Sequence, residues 1–264
     1  MTFLADILAT KRREVQQLRA AHDLDAWREQ CRELPPTRGF VRALRASEPP
    51  ALIAEIKRKS PSKGVIATDF DPLAVAAAYE AAGATALSVL TDTEWFGGSA
   101  QVLQDVRARV KLPILRKDFI IDATQVYETR AMGADALLLI IAALPQAAYE
   151  SLYALARSLG LDVLVEVHSR EEWQRAKTVQ PDLVGVNNRD LATFDVSLAT
   201  TEDVAGIIDD SVCLVSESGL ATAADVRRVL SAGAHALLIG ETLMRAGVQR
   251  IPDVIADLTA GVRT

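Results

Sequence analysis

Aromatic side chains are scarce, at 5% of 264 residues, and there are only two cysteines and three histidines. The two thiols, Cys31 and Cys213, lie far apart and match no metal-ligand spacing. That excludes a disulfide framework and fits a reducing compartment. Lys and Arg number 29 against 35 Asp and Glu, a net charge of −6, so the basic excess of a generic nucleic-acid binder is missing. Long apolar runs are missing too. Met1 is followed at once by a segment carrying Asp6, Lys11, Arg12, Arg13 and Glu14, which is no signal sequence. The run Ala136 to Leu144, bounded by Asp135 and Pro145, is about half the length a membrane span requires. A cytoplasmic protein with neither membrane nor nucleic acid as partner is expected. No Gly-x-Gly-x-x-Gly, Walker loop, His-Glu-x-x-His or Gly-x-Ser-x-Gly is present.

Half of the residues are apolar, enough for a sizeable core of Ala, Leu, Val and Ile, and the length suits one α/β barrel of roughly 250 residues. An internal repeat supports this. Ala82-Gly83-Ala84-Thr85-Ala86-Leu87, Met132-Gly133-Ala134-Asp135-Ala136-Leu137 and Ala232-Gly233-Ala234-His235-Ala236-Leu237 share the pattern x-Gly-Ala-x-Ala-Leu. Each closes a helical stretch and opens an apolar run, and the spacing fits a strand-plus-helix unit of about 25 residues. The glycine is what a left-handed helix end prefers, because it has no Cβ to clash.

Eight short apolar runs read as strands buried on both faces. They are Ala51 to Ile56, Ala86 to Leu90, Pro113 to Leu115, Ala136 to Ile141, Asp162 to Val167, Leu183 to Val186, Val212 to Val215 and Ala236 to Ile239. Between them lie amphipathic stretches such as Pro72 to Ala82, Ala100 to Arg109, Gln146 to Leu159, Glu171 to Val179 and Ala223 to Ala232, with helix starts at Asp71-Pro72 and Thr222. Alternation of strand and helix implies a parallel sheet, and eight units imply a single (β/α)8 TIM barrel; an open doubly wound sheet is the alternative. Residues 1–48 form an N-terminal helical extension to this one domain. Phe3, Leu4, Ile7, Leu8, Lys11, Val15 and Leu18 give one amphipathic helix, and a second includes Leu24 to Leu34 before Pro35-Pro36. The pattern leaves open whether the extension plugs one end of the barrel or covers its active site.

In such a barrel the chemistry gathers where strands run out into βα loops. The first strand leads into Glu55-Ile56-Lys57-Arg58-Lys59-Ser60-Pro61-Ser62-Lys63-Gly64, the third into Arg116-Lys117-Asp118-Phe119, and the fifth holds Glu166 before His168. The sixth delivers Asn187-Asn188-Arg189-Asp190, the seventh Ser216-Glu217-Ser218-Gly219, and the eighth Gly240-Glu241. Charges projecting into a barrel mouth must be paired or liganded. Alternation along the first strand sets Glu55 and Lys57 on one side, whereas Lys59 and Lys63 read as solvating the loop. Ser218-Gly219 and Gly240-Glu241 stand where many barrels bind phosphate through backbone N–H groups. Only the N–H of Glu241 is expected to serve, since its carboxylate would repel the anion. His22 lies in the extension and His235 opens the last strand, leaving only His168 near the site. No metal site is expected. Lysine and glutamate are the available acids and bases.

These strings resemble the indole-3-glycerol-phosphate synthase family over nearly the whole chain. Ile7-Leu8-x-x-Lys11-x-x-Glu14-Val15, Ala54-Glu55-Ile56-Lys57-x-Lys59-Ser60-Pro61-Ser62-Lys63-Gly64 and Ser88-Val89-Leu90-Thr91-Asp92 with Phe96-Gly97-Gly98-Ser99 carry the likeness. So do Pro113-Ile114-Leu115-Arg116-Lys117-Asp118-Phe119, Val165-Glu166-Val167, Val186-Asn187-Asn188-Arg189-Asp190-Leu191, Ser216-Glu217-Ser218-Gly219 and Leu238-Ile239-Gly240-Glu241. One departure is Asp92-Thr93-Glu94-Trp95, where relatives often show Lys-Tyr; some also place a small hydroxyl residue at the position of Glu241.

The resemblance implies a cofactor-free lyase of tryptophan biosynthesis. Such an enzyme closes the pyrrole ring of 1-(2-carboxyphenylamino)-1-deoxyribulose 5-phosphate, a substrate with a carboxylate and a phosphate, and releases carbon dioxide and water. By family position Lys117 is the general acid, with Glu166, Lys57 and Glu55 as further catalytic groups. Ser60, Asn187, Arg189 and Glu217 orient the substrate, Phe96, Phe119, Leu138 and Leu191 wall in its aryl ring, and Ser218, Gly219, Gly240 and Glu241 hold the phosphate. Leu138 reads almost equally well as core. The family also favours a cover over the catalytic face as the role of the extension, and a monomer is expected. Two other functions stay open: a different phosphosugar isomerase or lyase barrel, and a non-catalytic barrel that binds a phosphorylated metabolite.

Overall fold

The computed structural model describes residues 3–61, 63–66, 70–191 and 193–262. Eight parallel strands close into a barrel: β1 (Ala51–Ile56), β2 (Ala86–Leu90), β3 (Ile114–Lys117), β4 (Ala136–Ile140), β5 (Asp162–Val167), β6 (Leu183–Asn187), β7 (Cys213–Glu217) and β8 (Ala236–Ile239). Each pairs with its neighbour in sequence, and β8 returns to β1, so no edge is left open. The open-sheet alternative is thereby removed. Three helices precede the barrel, α1 (Phe3–Ala21), α2 (Leu24–Glu33) and α3 (Phe40–Ala46). The others follow the strands: α4 (Pro72–Ala81), α5 (Ala100–Arg109), α6 (Ala123–Ala131), α7 (Gln146–Ser158), α8 (Arg170–Ala176), α9 (Ala199–Ala205), α10 (Ala223–Ser231), α11 (Glu241–Ala246) and α12 (Ile251–Leu258).

The local signals act as their chemistry dictates. Asp71 caps α4 by accepting from the N–H groups of Leu73 and Ala74, and Thr222 and Asp225 form a reciprocal capping box on α10. Gly83, Gly133 and Gly233 stand at φ +80°, +84° and +108°, as the repeat requires, and Gly160 at +74° marks a fourth unit whose flanking residues have diverged. Apolar runs mark strand ends less well. β3, β6 and β7 extend to Lys117, Asn187 and Glu217, because the ladder continues through polar residues, pairing Leu90 with Lys117 and Asn187 with Glu217. Beyond the elements expected, Lys59–Ser60 and Gly64–Val65 pair as a small antiparallel hairpin after β1.

Period-two alternation divides each strand into an outward face against the helices and an inward face toward the axis. The inward side chains form layers. Ala51, Ala86, Ala136, Leu183, Cys213 and Ala236 lie lowest; Ile53, Leu115, Leu138, Leu164, Val215 and Leu238 fill the middle. Above them, at the C-terminal ends, alternation brings Glu55, Lys117, Glu166, Asn187 and Glu217 onto the same inward face.

The extension reaches both ends of the barrel. Helix α1 lies over the C-terminal ends of β2 and β3, where Lys11 meets Asp92 and Asp118 at 2.7 and 2.8 Å. Helix α2 runs down the flank of α6, and beyond it Arg130 donates to the carbonyls of Leu34 and Pro35. Helix α3 closes the other end. Phe40 and Leu44 pack on the small alanine layer, while Arg38 donates to the carbonyls of Val110 and Leu112, and Arg45 to that of Ser211. No helix of the described residues is long and apolar enough to cross a membrane.

Candidate active site

Lys117 ends β3 with its ammonium between two carboxylates, 3.1 Å from Glu166 Oε2 and 3.0 Å from Glu217 Oε2. Both glutamates are almost fully buried. Burial opposes the ammonium, but Glu166, Glu217 and Glu55 outweigh it and keep Lys117 protonated well above the ordinary lysine range. One cation cannot satisfy two buried anions equally. Burial would raise both carboxyls. For Glu166, Lys117 and His168 more than reverse it and the pKa falls, whereas Glu217, with Glu166 as a like-charged neighbour, is pushed up to about 7. His168 sits behind the pair, Nε2 3.5 Å from Glu166 Oε1 and Nδ1 3.1 Å from Glu172 Oε2.

Across the barrel axis Lys57 forms an ion pair with Glu55, as their alternation requires. A cavity of about 720 Å³ opens over these groups. Glu55, Lys57, Ser60, Phe96, Lys117, Asn187, Arg189, Glu217, Ser218, Gly219, Gly240 and Glu241 line it, so twelve of the expected site residues share one wall system. Glu166 does not line the cavity but lies behind Lys117 and Asn187, which do. Phe119, Leu138 and Leu191 do not line it. Phe119 stands behind Phe96, ring centroids 6.2 Å apart; Leu138 is one layer down in the barrel core at 2% exposure, and Leu191 packs against that core. The core reading of Leu138 is the one its depth supports, because the top inward position of β4 belongs to Ile140.

The mouth is less cationic than the loop sequence suggests. Lys57, Lys63, Lys117, Arg189 and Arg245 face four carboxylates, Glu55, Asp195, Glu217 and Glu241. The charge of Glu241 is met by Arg245 at 3.0 Å and Arg189 at 3.8 Å. Ser218 and Gly219 both adopt positive φ, +68° and +80°, and a Cβ on Gly219 would lie 2.5 Å from Val196. Lys59 is held rather than merely solvated, its Nζ donating to the Glu94 carbonyl at 2.8 Å, while Lys63 is exposed on the cavity rim.

Residues missed in the sequence come chiefly from the loop after β6. Asp190 accepts from the N–H of Thr193, and Arg189 bridges to Val196, so the loop doubles back and brings Phe194, Asp195 and Val196 to the cavity. Its signal was the Asp190 side chain, an Asx-turn former. Arg245, one helical turn after Glu241, was legible as an i, i+4 partner. Phe3 packs edge-on against both Trp95 and Phe194, at 4.9 and 5.0 Å, so the Trp in place of the common Lys-Tyr loop serves as a seat for α1. Among the described residues no three His, Cys, Asp or Glu side chains gather as a metal-binding set.

Comparison with solved structures extends the fold. The chain resembles N-acetylmannosamine-6-phosphate 2-epimerase from Clostridium perfringens, TM-score 0.62, 14% identity, 81% of this chain and 94% of that one. It also resembles a tryptophan synthase alpha-subunit from Pyrococcus furiosus, TM-score 0.58, 14% identity, 79% and 97%. At such identity the likeness concerns architecture alone. Sequence relatives are much nearer. An indole-3-glycerol phosphate synthase of Chromobacterium violaceum is 51% identical over 245 residues, 92% of each chain. One of Chlorobium phaeovibrioides is 51% identical over 244 residues, 92% of this chain and 95% of that one. The family model for indole-3-glycerol phosphate synthase matches residues 4–252, which span α1, the whole barrel and the cavity, and the chain belongs to that family.

Proposed function

We propose that the protein is a carboxy-lyase that converts 1-(2-carboxyphenylamino)-1-deoxyribulose 5-phosphate to indole-3-glycerol phosphate, in tryptophan biosynthesis, with the extension and barrel acting as one domain. The observation that carries the site assignment is Lys117, an ammonium held between two buried glutamates at the floor of a cavity of about 720 Å³. As the aryl carbon attacks the ketone, a C–C bond forms and the carbonyl oxygen gains charge, which Lys117 neutralises by giving its proton. The carboxylate leaves as carbon dioxide, and its bonding pair restores aromaticity. Dehydration then needs an acid for the departing hydroxyl and a base for the adjacent carbon's proton. Glu166, against the Lys117 nitrogen, is the base, and Lys57, buffered by Glu55, is the second ammonium available. A carboxylate that departs as neutral carbon dioxide leaves one proton to be taken up per turnover.

Placement follows the cavity walls. Phe96, backed by Phe119, holds the aryl ring near the ketone, and Ser60, Asn187, Arg189 and Glu217 orient the polar groups. The phosphate lies against Ser218, Gly219, Gly240 and the N–H of Glu241, whose carboxylate is already engaged by Arg245. Incubation of the purified protein with the carboxyphenylamino substrate is expected to give indole fluorescence. Lys117→Ala should lower kcat by roughly 10²- to 10⁴-fold, the range for a general acid. Turnover left intact by that substitution removes Lys117 from its role, and absence of indole from the wild type removes the function.

A further inference from the structure

We propose that Lys11, on the helix outside the barrel, is a positioning residue for this ring closure: its ammonium neutralises two buried aspartates, Asp92 and Asp118, that fix the loops on either side of the catalytic lysine. The inference rests on the function proposed above and adds a residue to its machinery.

Lys11 is 1% exposed although it sits on a helix whose opposite face is solvated. Its Nζ lies 2.7 Å from Asp92 Oδ2, 2.8 Å from Asp118 Oδ1 and 2.7 Å from Glu14 Oε2. Asp92 and Asp118 are 0% and 4% exposed, so their charges cannot be met by water. What they hold explains why the cation matters. Asp92 accepts the N–H groups of Trp95 and Phe96 at 2.7 and 3.0 Å, which shapes the loop after β2 and sets Phe96 on the cavity wall. Asp118 directly follows Lys117. It accepts the N–H of Phe119 at 2.8 Å, the Thr91 hydroxyl at 2.5 Å and Arg116 at 3.2 Å. One ammonium from α1 therefore joins the two loops that carry Phe96, Phe119 and Lys117.

The other charges here are placed so that none replaces Lys11. Arg116 is committed to Asp118 and to Glu128 of α6 at 2.8 Å. Arg13 donates to the Thr10 hydroxyl at 3.1 Å and lies 3.8 Å from the exposed Glu94, and Glu14 adds a further negative charge. Lys117 points to Glu166 and Glu217. Burial works against the Lys11 ammonium, yet Asp118 and Asp92 outweigh it and raise its pKa, so it stays charged throughout the working range. Without it, Asp92 is a buried carboxylate with no cation of its own and must either distort the loops or take up a proton.

The test is the pH profile of kcat in the indole-forming assay. In Lys11→Met, kcat at pH 8 is expected to fall at least tenfold. Relative to wild type it should recover toward acid pH, as Asp92 becomes protonated and the buried repulsion disappears. Lys11→Met with Asp92→Asn should restore kcat to within about threefold of wild type and abolish that pH dependence, because an asparagine Oδ1 still accepts from Trp95 and Phe96. A purely packing role gives a pH-independent loss that Asp92→Asn does not relieve, and that result overturns the proposal, as does a single variant within twofold of wild type at every pH. If Lys11→Met is not recovered folded, the double variant decides alone: it must fold and turn over, and failure to do so is equally fatal. An inactive wild type would instead strike the function proposed above, so the two failures are distinguishable.

Discussion

At the scale of single residues, the site depends on atoms that are absent. A Cβ on Gly185 in β6 would lie 2.0 Å from Glu217 Oε1, and one on Gly240 2.3 Å from Glu55 Oε2. Gly185 also pairs in register with Glu166, so this missing side chain lets two carboxylates converge on one ammonium. Gly185→Ala is expected to push Glu217 aside, and with it the Lys117 ammonium that it holds, and to lower kcat about 10²-fold, the cost of misplacing a catalytic group by roughly 1 Å. Steady-state kinetics beside circular dichroism separates this from unfolding. The sequence hid the role, since Gly185 lies in an apolar run and reads as strand interior. The five polar groups at the strand ends were legible for the opposite reason: Glu55, Lys117, Glu166, Asn187 and Glu217 are polar where period two points them inward. Leu138 shows the limit of that rule. It has the inward parity, but depth along the strand decides between wall and core, and an apolar residue gives no sign of depth.

Between elements, the extension divides its work. Helix α1 was readable from its apolar spacing, although the end it covers depends on ion pairs with Asp92 and Asp118, more than eighty residues distant. Helix α3 was not readable. Seven residues with no side-chain cap carry little local signal, and the helix exists because Phe40 and Leu44 fill the space left by the alanine layer at the barrel floor. A large side chain there substitutes for the small ones of four strands. Phe40→Ala should lower the unfolding free energy by about 3–5 kcal/mol, the usual cost of emptying such a site. KM of the folded enzyme should stay unchanged, because Phe40 is at the opposite end from the cavity. Urea unfolding and kinetics on the same sample check both halves. A change in KM equal to that of a catalytic-face variant would mean the floor and the mouth are mechanically coupled.

Across the whole molecule, buried charge sets where on the pH scale the fold is strongest. Asp118 is held down to about 2, because Arg116 and Lys11 overcome its burial. Its stabilisation is complete above the ordinary aspartate pKa and is lost as pH falls from about 4 toward 2, a contribution on the order of 2 kcal/mol. Glu217 works in the opposite sense. With its carboxyl raised to about 7 by burial, the folded state binds more protons than the unfolded state between about pH 4.5 and 7, so stability declines as pH rises through that window. His168, whose pKa is raised because Glu172 and Glu166 outweigh its burial, adds to the decline, since its favourable charged form is lost on the alkaline side. Glu166, held low by Lys117, loses its contribution only in acid. The unfolding free energy should therefore peak near pH 5 and be lower at pH 8 by on the order of 2 kcal/mol, measured by urea titration at fixed ionic strength. Glu217→Gln should flatten the slope between pH 5 and 7 and leave the acid limb in place, whereas Asp118→Asn should weaken the acid limb and spare the neutral slope. Stability that rises steadily from pH 5 to 8 in the wild type would show that Glu217 is fully ionised in the folded protein, and that Lys117 satisfies both of its carboxylates at once.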